Sequence, residues 1–220
     1  MVWSKQDALS RICEVGLIPI LRTASTEEAR CAAEAVLATG IGIVEITTGV
    51  PDALALLKWI VERYGSTVLP GVGTVLDPDT CRAAIAAGAE FIVAPNFDPD
   101  VVAVAGRAEK LCIPGALTPT EVHAAWRGGA DMVKVFPCGA LGGPEYIRAL
   151  RGPLPQVPLV PTGGVSLANI AAFIDAGVAA LGVGGDLLGG RALAQGGADL
   201  IRANTTALWK AVRVARDAPA

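Results

Sequence analysis

The sequence predicts an α/β protein, a single-domain closed parallel (β/α)8 barrel spanning residues 1–220, with a helix ahead of the first strand. Three observations predict it. Eight short apolar runs alternate with longer alanine-rich runs, at a period of roughly 20–26 residues. Glycines recur where the helical runs stop, and capping residues recur where they start. Nowhere does the composition shift towards a linker or a low-complexity segment.

Met1 to Gly16 mixes Lys5, Asp7, Arg11 and Glu14 with apolar positions, which suits a surface helix and lacks the apolar core of a secretory leader. The first strand is expected at Leu17–Leu21, and Ser25 with Glu28 opens the next helix as a capping box that satisfies free amides. That helix stops at Gly40, where glycine takes the left-handed turn that other residues resist. The second strand is expected at Gly42–Thr47, with its helix closing at Gly65, and the third at Thr67–Leu69. Asp77-Pro78 then combines a capping side chain with proline at the first helical position, and this helix ends at Gly88. Phe91–Ala94 is the fourth strand, followed by the same device at Asp98-Pro99. After a fifth strand at Cys112–Pro114, Thr118, Pro119 and Glu121 make a second capping box, with a glycine stop at Gly129. The last three strands are expected at Met132–Phe136, Leu159–Pro161 and Ala180–Val183, with Gly177 closing the helix between the final two. A terminal helix over about Asp199 to Arg216 packs either on the barrel or at a subunit interface. An open doubly wound sheet is the alternative, but the first strand runs into Arg22-Thr23-Ala24 and not into a glycine fingerprint.

Composition narrows the partners. Hydrophobic residues make up 52% and charged residues 18%, which excludes a disordered or fibrous chain. Eighteen basic and 21 acidic residues give a net charge of −3 with no basic run, which argues against nucleic acid or an anionic membrane as partner. No stretch approaches 18 uninterrupted apolar residues. The five cysteines stand at scattered spacings and His123 is the only histidine, so no zinc pattern exists and reduced thiols in the cytoplasm are expected.

Barrel chemistry gathers at the carboxyl ends of the strands, where alternate residues point inward. A charge inside such a strand is expensive unless it is used or paired. Lys134 shares a strand face with Met132 and Phe136, while the other four lysines fall in terminal or helical stretches. Apolar surroundings lower an amine's pKa, and a neutral amine is the nucleophile that forms a Schiff base with a ketone. The competing reading is a lysine paired to a carboxylate for structure alone. Glu45 lies on the same strand face as Ile43 and Thr47, and is either that ion-pair partner or a general acid/base.

Glycine-rich turns follow the seventh and eighth strands, at Thr162-Gly163-Gly164 and Gly184-Gly185, where many barrels bind phosphate through backbone amides. Asp186 beside the second turn is an objection, since its charge repels phosphate unless it points away. Gly71-Val72-Gly73-Thr74 reads as an open turn, either for close approach of a substrate or simply for leading into a helix. Arg22 at the end of the first strand is placed to bind a carboxylate or phosphate bidentately. His123 reads as a surface or packing residue, Trp59, Trp126 and Trp209 as helix packing, and Cys138 as inert for want of an activating histidine.

Six segments taken together resemble the 2-keto-3-deoxy-6-phosphogluconate (KDPG) / 4-hydroxy-2-oxoglutarate (KHG) aldolase family. They are Val44-Glu45-Ile46-Thr47, Gly71-Val72-Gly73-Thr74-Val75-Leu76, Phe91-Ile92-Val93-Ala94-Pro95, Pro114 to Glu121, Val133-Lys134-Val135-Phe136-Pro137 and Pro161-Thr162-Gly163-Gly164-Val165, in order from about Gly16 to Leu188. The resemblance implies a metal-free class I aldolase on a TIM barrel, without a cofactor and usually homotrimeric. It implies Lys134 as the Schiff-base lysine and Glu45 as the general acid/base. Thr74, Pro95 and Phe136 would line the pyruvyl pocket; Thr162, Gly163, Gly164, Gly184 and Gly185 would hold the phosphate, and Arg22 matches an arginine found after the first strand. The implied reaction is cleavage of KDPG to pyruvate and glyceraldehyde 3-phosphate. KHG, giving glyoxylate, and the galactonate epimer of KDPG are alternatives. Outside the class stand a phosphosugar isomerase-like barrel and a catalytically silent small-molecule binder.

Two positions depart from the family pattern. Gly49 stands where many members carry a carboxylate-binding arginine, which leaves that contact to Arg22, Thr74 or backbone amides. Gly185-Asp186 stands where a serine or other small residue often meets phosphate, which leaves a non-phosphorylated aldehyde partner open.

Overall fold

A computed structural model describes residues 3–189 and 197–218. Its strands form one ring. Helix α1 (Lys5–Val15) precedes β1 (Leu17–Leu21), and the chain then alternates through α2 (Thr26–Leu37), β2 (Ile43–Thr47), α3 (Ala53–Tyr64) and β3 (Leu69–Gly73). It continues through α4 (Pro78–Ala86), β4 (Phe91–Val93), α5 (Pro99–Arg107), β5 (Leu111–Ile113), β6 (Gly115–Ala116) and α6 (Pro119–Arg127). The last part comprises β7 (Val133–Val135), α7 (Pro144–Arg151), β8 (Leu159–Pro161), α8 (Ile170–Asp175), β9 (Leu181–Val183), the one-turn α9 (Gly185–Leu188) and α10 (Gly197–Asp217).

All pairings are parallel. One sheet runs β5-β4-β3-β2-β1-β9 and a second runs β6-β7-β8. β5 and β6 are the two halves of the fifth barrel strand, split at Pro114, which has no N–H to give to the ladder. A bridge between Thr162 and Gly182 joins β8 to β9 and closes the eight-stranded ring.

Local chemistry builds this as expected at most joints. Thr118 and Glu121 form a complete capping box, and Asp77 and Asp98 cap their helices in front of Pro78 and Pro99. Ser25 accepts from the Glu28 N–H, but the Glu28 carboxylate accepts from Ala24, so that box is displaced by one residue. Gly40, Gly65, Gly88, Gly129 and Gly177 all have positive φ. Alanines 29, 32, 33 and 35 are buried on α2, giving it a flat face that packs closely on the sheet.

The third strand corrects the expectation. Residues Gly65–Thr67 form a 3-10 turn and the strand is Leu69–Gly73, so Gly71, Val72 and Gly73 are ladder residues and not an open turn. Isolated glycines read as turn formers, whereas here neighbouring side chains fill the space they leave.

Helix α1 closes the amino-terminal mouth of the barrel. Trp3 Nε1 donates to the Val68 carbonyl (3.1 Å), Arg11 donates to the Ile41 carbonyl (3.1 Å), and Lys5 pairs with Asp131 (2.8 Å). Helix α10 packs on α2, α8 and β1, so the terminal helix completes the outer ring of the barrel. The Arg216 guanidinium ties it down by donating to the carbonyls of Cys13, Glu14 and Ala179. The carboxyl ends of the strands lie at the opposite mouth.

Candidate active site

Lys134 is the middle residue of β7, in register with Gly115 and Val160, and is 5% exposed. Val133 and Val135 point the other way into the helix layer, as strand alternation requires. The Lys134 ammonium nitrogen lies 5.1 Å from the Phe136 ring centre. None of the ion pairs among the described residues, counted to 4.0 Å, includes Lys134. Burial holds its pKa below the ordinary lysine value; the Glu45 charge pulls the other way, and Arg22 adds to the lowering.

Glu45, in register with Ile20 and Gly71, is 2% exposed. Burial raises its carboxyl pKa, opposed by the charges of Lys134 and Arg22. Its Oε1 is buried and has no hydrogen-bond partner. β2 is the second strand of the ring and β7 the sixth, so the amine and the carboxyl come from opposite walls of an eight-stranded barrel. They influence each other's charge without forming a salt bridge. The purely structural pair considered for Lys134 is therefore absent.

A cavity of about 380 Å3 opens over Lys134, lined by Ile20, Arg22, Phe136, Thr162, Gly163, Gly184, Gly185, Leu188 and Gly189 as well as the lysine itself. Arg22 follows β1 directly, and its guanidinium donates to the Thr74 hydroxyl at 3.5 Å. Thr74 has φ 62°, a conformation rare for a residue with a Cβ, and its carbonyl accepts from the Thr48 hydroxyl (2.8 Å). Such backbone costs about 1–3 kcal/mol and persists where surrounding contacts enforce it.

The turn after β8 is rigidly held. Gly163 and Gly164 have φ 84° and 79°, and Gly164 lies so close to Gly139 that neither could carry a side chain. Cys138 and Gly139 donate to the carbonyls of Thr162 and Gly163, while Asn169 accepts from the Ser166 N–H and donates to the Gly164 carbonyl. Beside this turn lies a pocket of about 160 Å3, bounded by Gly163, Gly164, Ser166, Gly184, Gly185 and Asp186. Asp186 is exposed on its rim, so the charge objected to in the sequence stands beside this pocket.

Of the residues singled out from sequence, Lys134, Arg22, Phe136, Thr162, Gly163, Gly184 and Gly185 meet around one cavity, and Gly164 borders the adjoining pocket. Thr74 joins through Arg22. Pro95 lines a neighbouring cavity of about 370 Å3 with Phe97, Leu117, Thr120 and Glu121, and Phe136 borders both cavities. Sequence reasoning missed Ile20 and Leu188 as lining residues and Asn169 as the clasp of the glycine turn. Ile20 was findable, since it shares strand parity with Arg22. His123 is exposed on α6. The Cys138 thiol is buried, with its pKa pushed up to about 11, and so stays protonated. Among the described residues, no group of three or more His, Cys, Asp or Glu side chains is placed to hold a metal.

The chain matches a family model described as KDPG and KHG aldolase over residues 9–203. It is 40% identical over 173 residues to the 2-dehydro-3-deoxy-6-phosphogalactonate aldolase of Escherichia coli, covering 78% of this chain and 83% of that one. A solved structure described as native KDPGal superposes with a TM-score of 0.84 at 34% identity, covering 98% of each chain. The Legionella pneumophila KDPG aldolase, solved with pyruvate captured as a covalent carbinolamine, superposes with a TM-score of 0.81 at 28% identity, covering 91% of this chain and 97% of that one. A barrel with a lone buried lysine facing a buried carboxyl, matched over this length, belongs to the KDPG and KHG aldolase family.

Proposed function

We propose that the 220-residue chain acts as one class I aldolase unit that cleaves a 4-hydroxy-2-keto acid to pyruvate and an aldehyde, with Lys134 as its Schiff-base residue. The observation that carries this reading is a buried amine on a cavity wall that has no counter-ion in contact among the described residues, opposite a buried carboxyl whose Oε1 has no partner among them.

Lys134 Nζ attacks the C2 carbonyl, and loss of water leaves a protonated imine. Its burial lowers the amine's pKa and so favours the neutral form that the attack requires. Arg22, the second cation on the cavity wall, receives the substrate carboxylate in the role left vacant by Gly49. Glu45 takes the proton of the C4 hydroxyl. The C3–C4 bond breaks, its electron pair flows into the imine to give an enamine, and the aldehyde departs. Glu45 then returns a proton to C3, and water hydrolyses the imine to free pyruvate and Lys134. Burial raises this carboxyl's pKa, which favours the protonated form that the return of the proton to C3 uses. The imine cation is itself the electron sink, so the sequence of steps calls for no metal or cofactor.

KDPG, giving glyceraldehyde 3-phosphate, is the first substrate to test, with the phosphate against Thr162, Gly163, Gly164, Gly184 and Gly185. The galactonate epimer is the second reading, favoured by the 40% identity to a relative named for it; KHG is the third. A homotrimer working in the cytoplasm on small molecules completes the proposal. No described helix is long and apolar enough to cross a bilayer.

Incubation with pyruvate and borohydride tests the chemistry. The reduced adduct adds about 72 Da, the mass of pyruvate less water plus two hydrogens, and peptide mapping should place it on Lys134. A folded protein that traps nothing, or that traps pyruvate elsewhere, overturns the assignment. Turnover of KDPG, its epimer and KHG then ranks the substrates.

A further inference from the structure

Strand β3 brings no side chain to the barrel interior at two successive inward positions, Gly71 and Gly73. Its partners fill the space from either side. A Cβ built on Gly71 would lie 2.5 Å from Cδ2 of Phe91, which comes from β4. A Cβ built on Gly73 would overlap Oε1 of Glu45, which comes from β2, and would lie 2.6 Å from its Cδ. The backbone of Gly73 does not itself require glycine, since Gly73 is not among the residues with positive φ. The three heavy atoms nearest to such a Cβ all belong to the Glu45 side chain. The end of the strand is also held from β2's side, since the Gly73 carbonyl accepts from the Thr48 N–H at 2.9 Å.

That carboxyl has little else to fix it. Oε1 makes no hydrogen bond, so shape and not a polar partner decides where the oxygen rests. We propose that Gly73 is the positioning residue for Glu45: the missing side chain is the seat that holds the carboxyl where it can exchange a proton with a substrate bound to Lys134. The inference rests on the aldolase reading above for the role of Glu45. The juxtaposition itself does not depend on that reading.

The test separates imine formation from proton transfer in Gly73→Ala. In D2O, pyruvate bound as the enamine exchanges its C3 protons, a step that uses Glu45, whereas the final extent of borohydride trapping reports Lys134 alone. Gly73→Ala should trap pyruvate to the wild-type extent yet exchange C3 protons at least about 100-fold more slowly, the lower range of what a positioned acid/base supplies. The second arm is a stability cycle with Glu45→Ala. Gly73→Ala should lower the melting temperature when Glu45 is present and leave it unchanged in the Glu45→Ala background, where the clash is gone. If Gly73→Ala alone does not fold, recovery of the fold in the double variant supports the same conclusion.

Wild-type exchange rates in Gly73→Ala overturn the proposal. So does an equal loss of trapping and exchange, or a stability cost that persists without Glu45. If the wild-type protein itself neither traps nor exchanges pyruvate, the aldolase reading fails, while the stability cycle still judges whether Gly73 seats the carboxyl.

Discussion

Replacing Lys134 by methionine should abolish pyruvate trapping and at the same time make the protein more stable at neutral pH. Lys134 is 5% exposed and has no carboxylate within 4.0 Å among the described residues, so its protonated form is a charge that burial disfavours. Methionine has nearly the same length, no charge, and suits an environment that includes Ile20 and Phe136. The sign follows from proton linkage. The folded-state pKa of Lys134 is lowered, so between that value and the unfolded value near 10.4 the unfolded chain holds the extra proton. Stability of the wild type therefore rises with pH through this window, by up to about 1.4 kcal/mol per pH unit. Lys134→Met lacks this contribution, so its advantage is largest at low pH and shrinks as pH rises. Glu45 acts in the same direction. Without Lys134 nothing but Arg22 counters its burial, so ionising it at higher pH costs the variant stability. For a chain of this length 1 kcal/mol corresponds to about 2–4 °C, so the gap in melting temperature should close by up to about 3–6 °C per pH unit. Calorimetric melts of both proteins at several pH values between 7 and 10 provide the assay. A variant less stable than wild type at pH 7, or a gap constant across the series, would refute the unpaired, desolvated amine.

Two further outcomes test the frame around the lysine. Phe91→Ala empties the hollow beside Gly71 at a fully buried ring, and should cost about 3–5 kcal/mol, read as a lower denaturant midpoint; a cost below 1 kcal/mol would mean the ring is not the filler of that space. Arg22→Ala removes the only cation besides Lys134 among the described residues of the cavity wall, and should raise KM for the keto acid about 10- to 100-fold, with trapping at saturating pyruvate retained; an unchanged KM returns the carboxylate contact to Thr74 or backbone amides.

The fold was legible because its joints are local chemistry. Asp77-Pro78, Thr118 with Glu121, and the glycine stops from Gly40 to Gly177 each fix a helix end through bonds to residues three or four away, and these stand in the structure where the sequence places them. The lysine and the glutamate were legible for a related reason: a charge within an apolar strand is costly enough to be informative alone. What escaped was non-local. The third strand was misplaced because Leu69–Gly73 holds a proline and two glycines, and only Phe91 and Glu45 arriving from adjacent strands make that segment a packed interior strand. Pro95 borders a neighbouring cavity that shares Phe136 with the lysine's, a juxtaposition no linear spacing can show. Asn169 serves the site only through the curl of the chain back onto Gly164.

The distance between Lys134 and Glu45 is the point where fold becomes chemistry. Had both residues stood on adjacent strands, they would have formed a contact salt bridge, and the lysine, held as an ammonium, would have lost its lone pair. Had either stood outside the interior, water would have screened it and returned its pKa to the ordinary value. Placement on the second and sixth strands of eight avoids both results: burial pushes the amine's pKa down and the carboxyl's up, and the attraction across the barrel offsets only part of each shift. The same barrel interior that sets these two shifts also seats the Glu45 carboxyl against Gly73, where a Cβ would overlap Oε1.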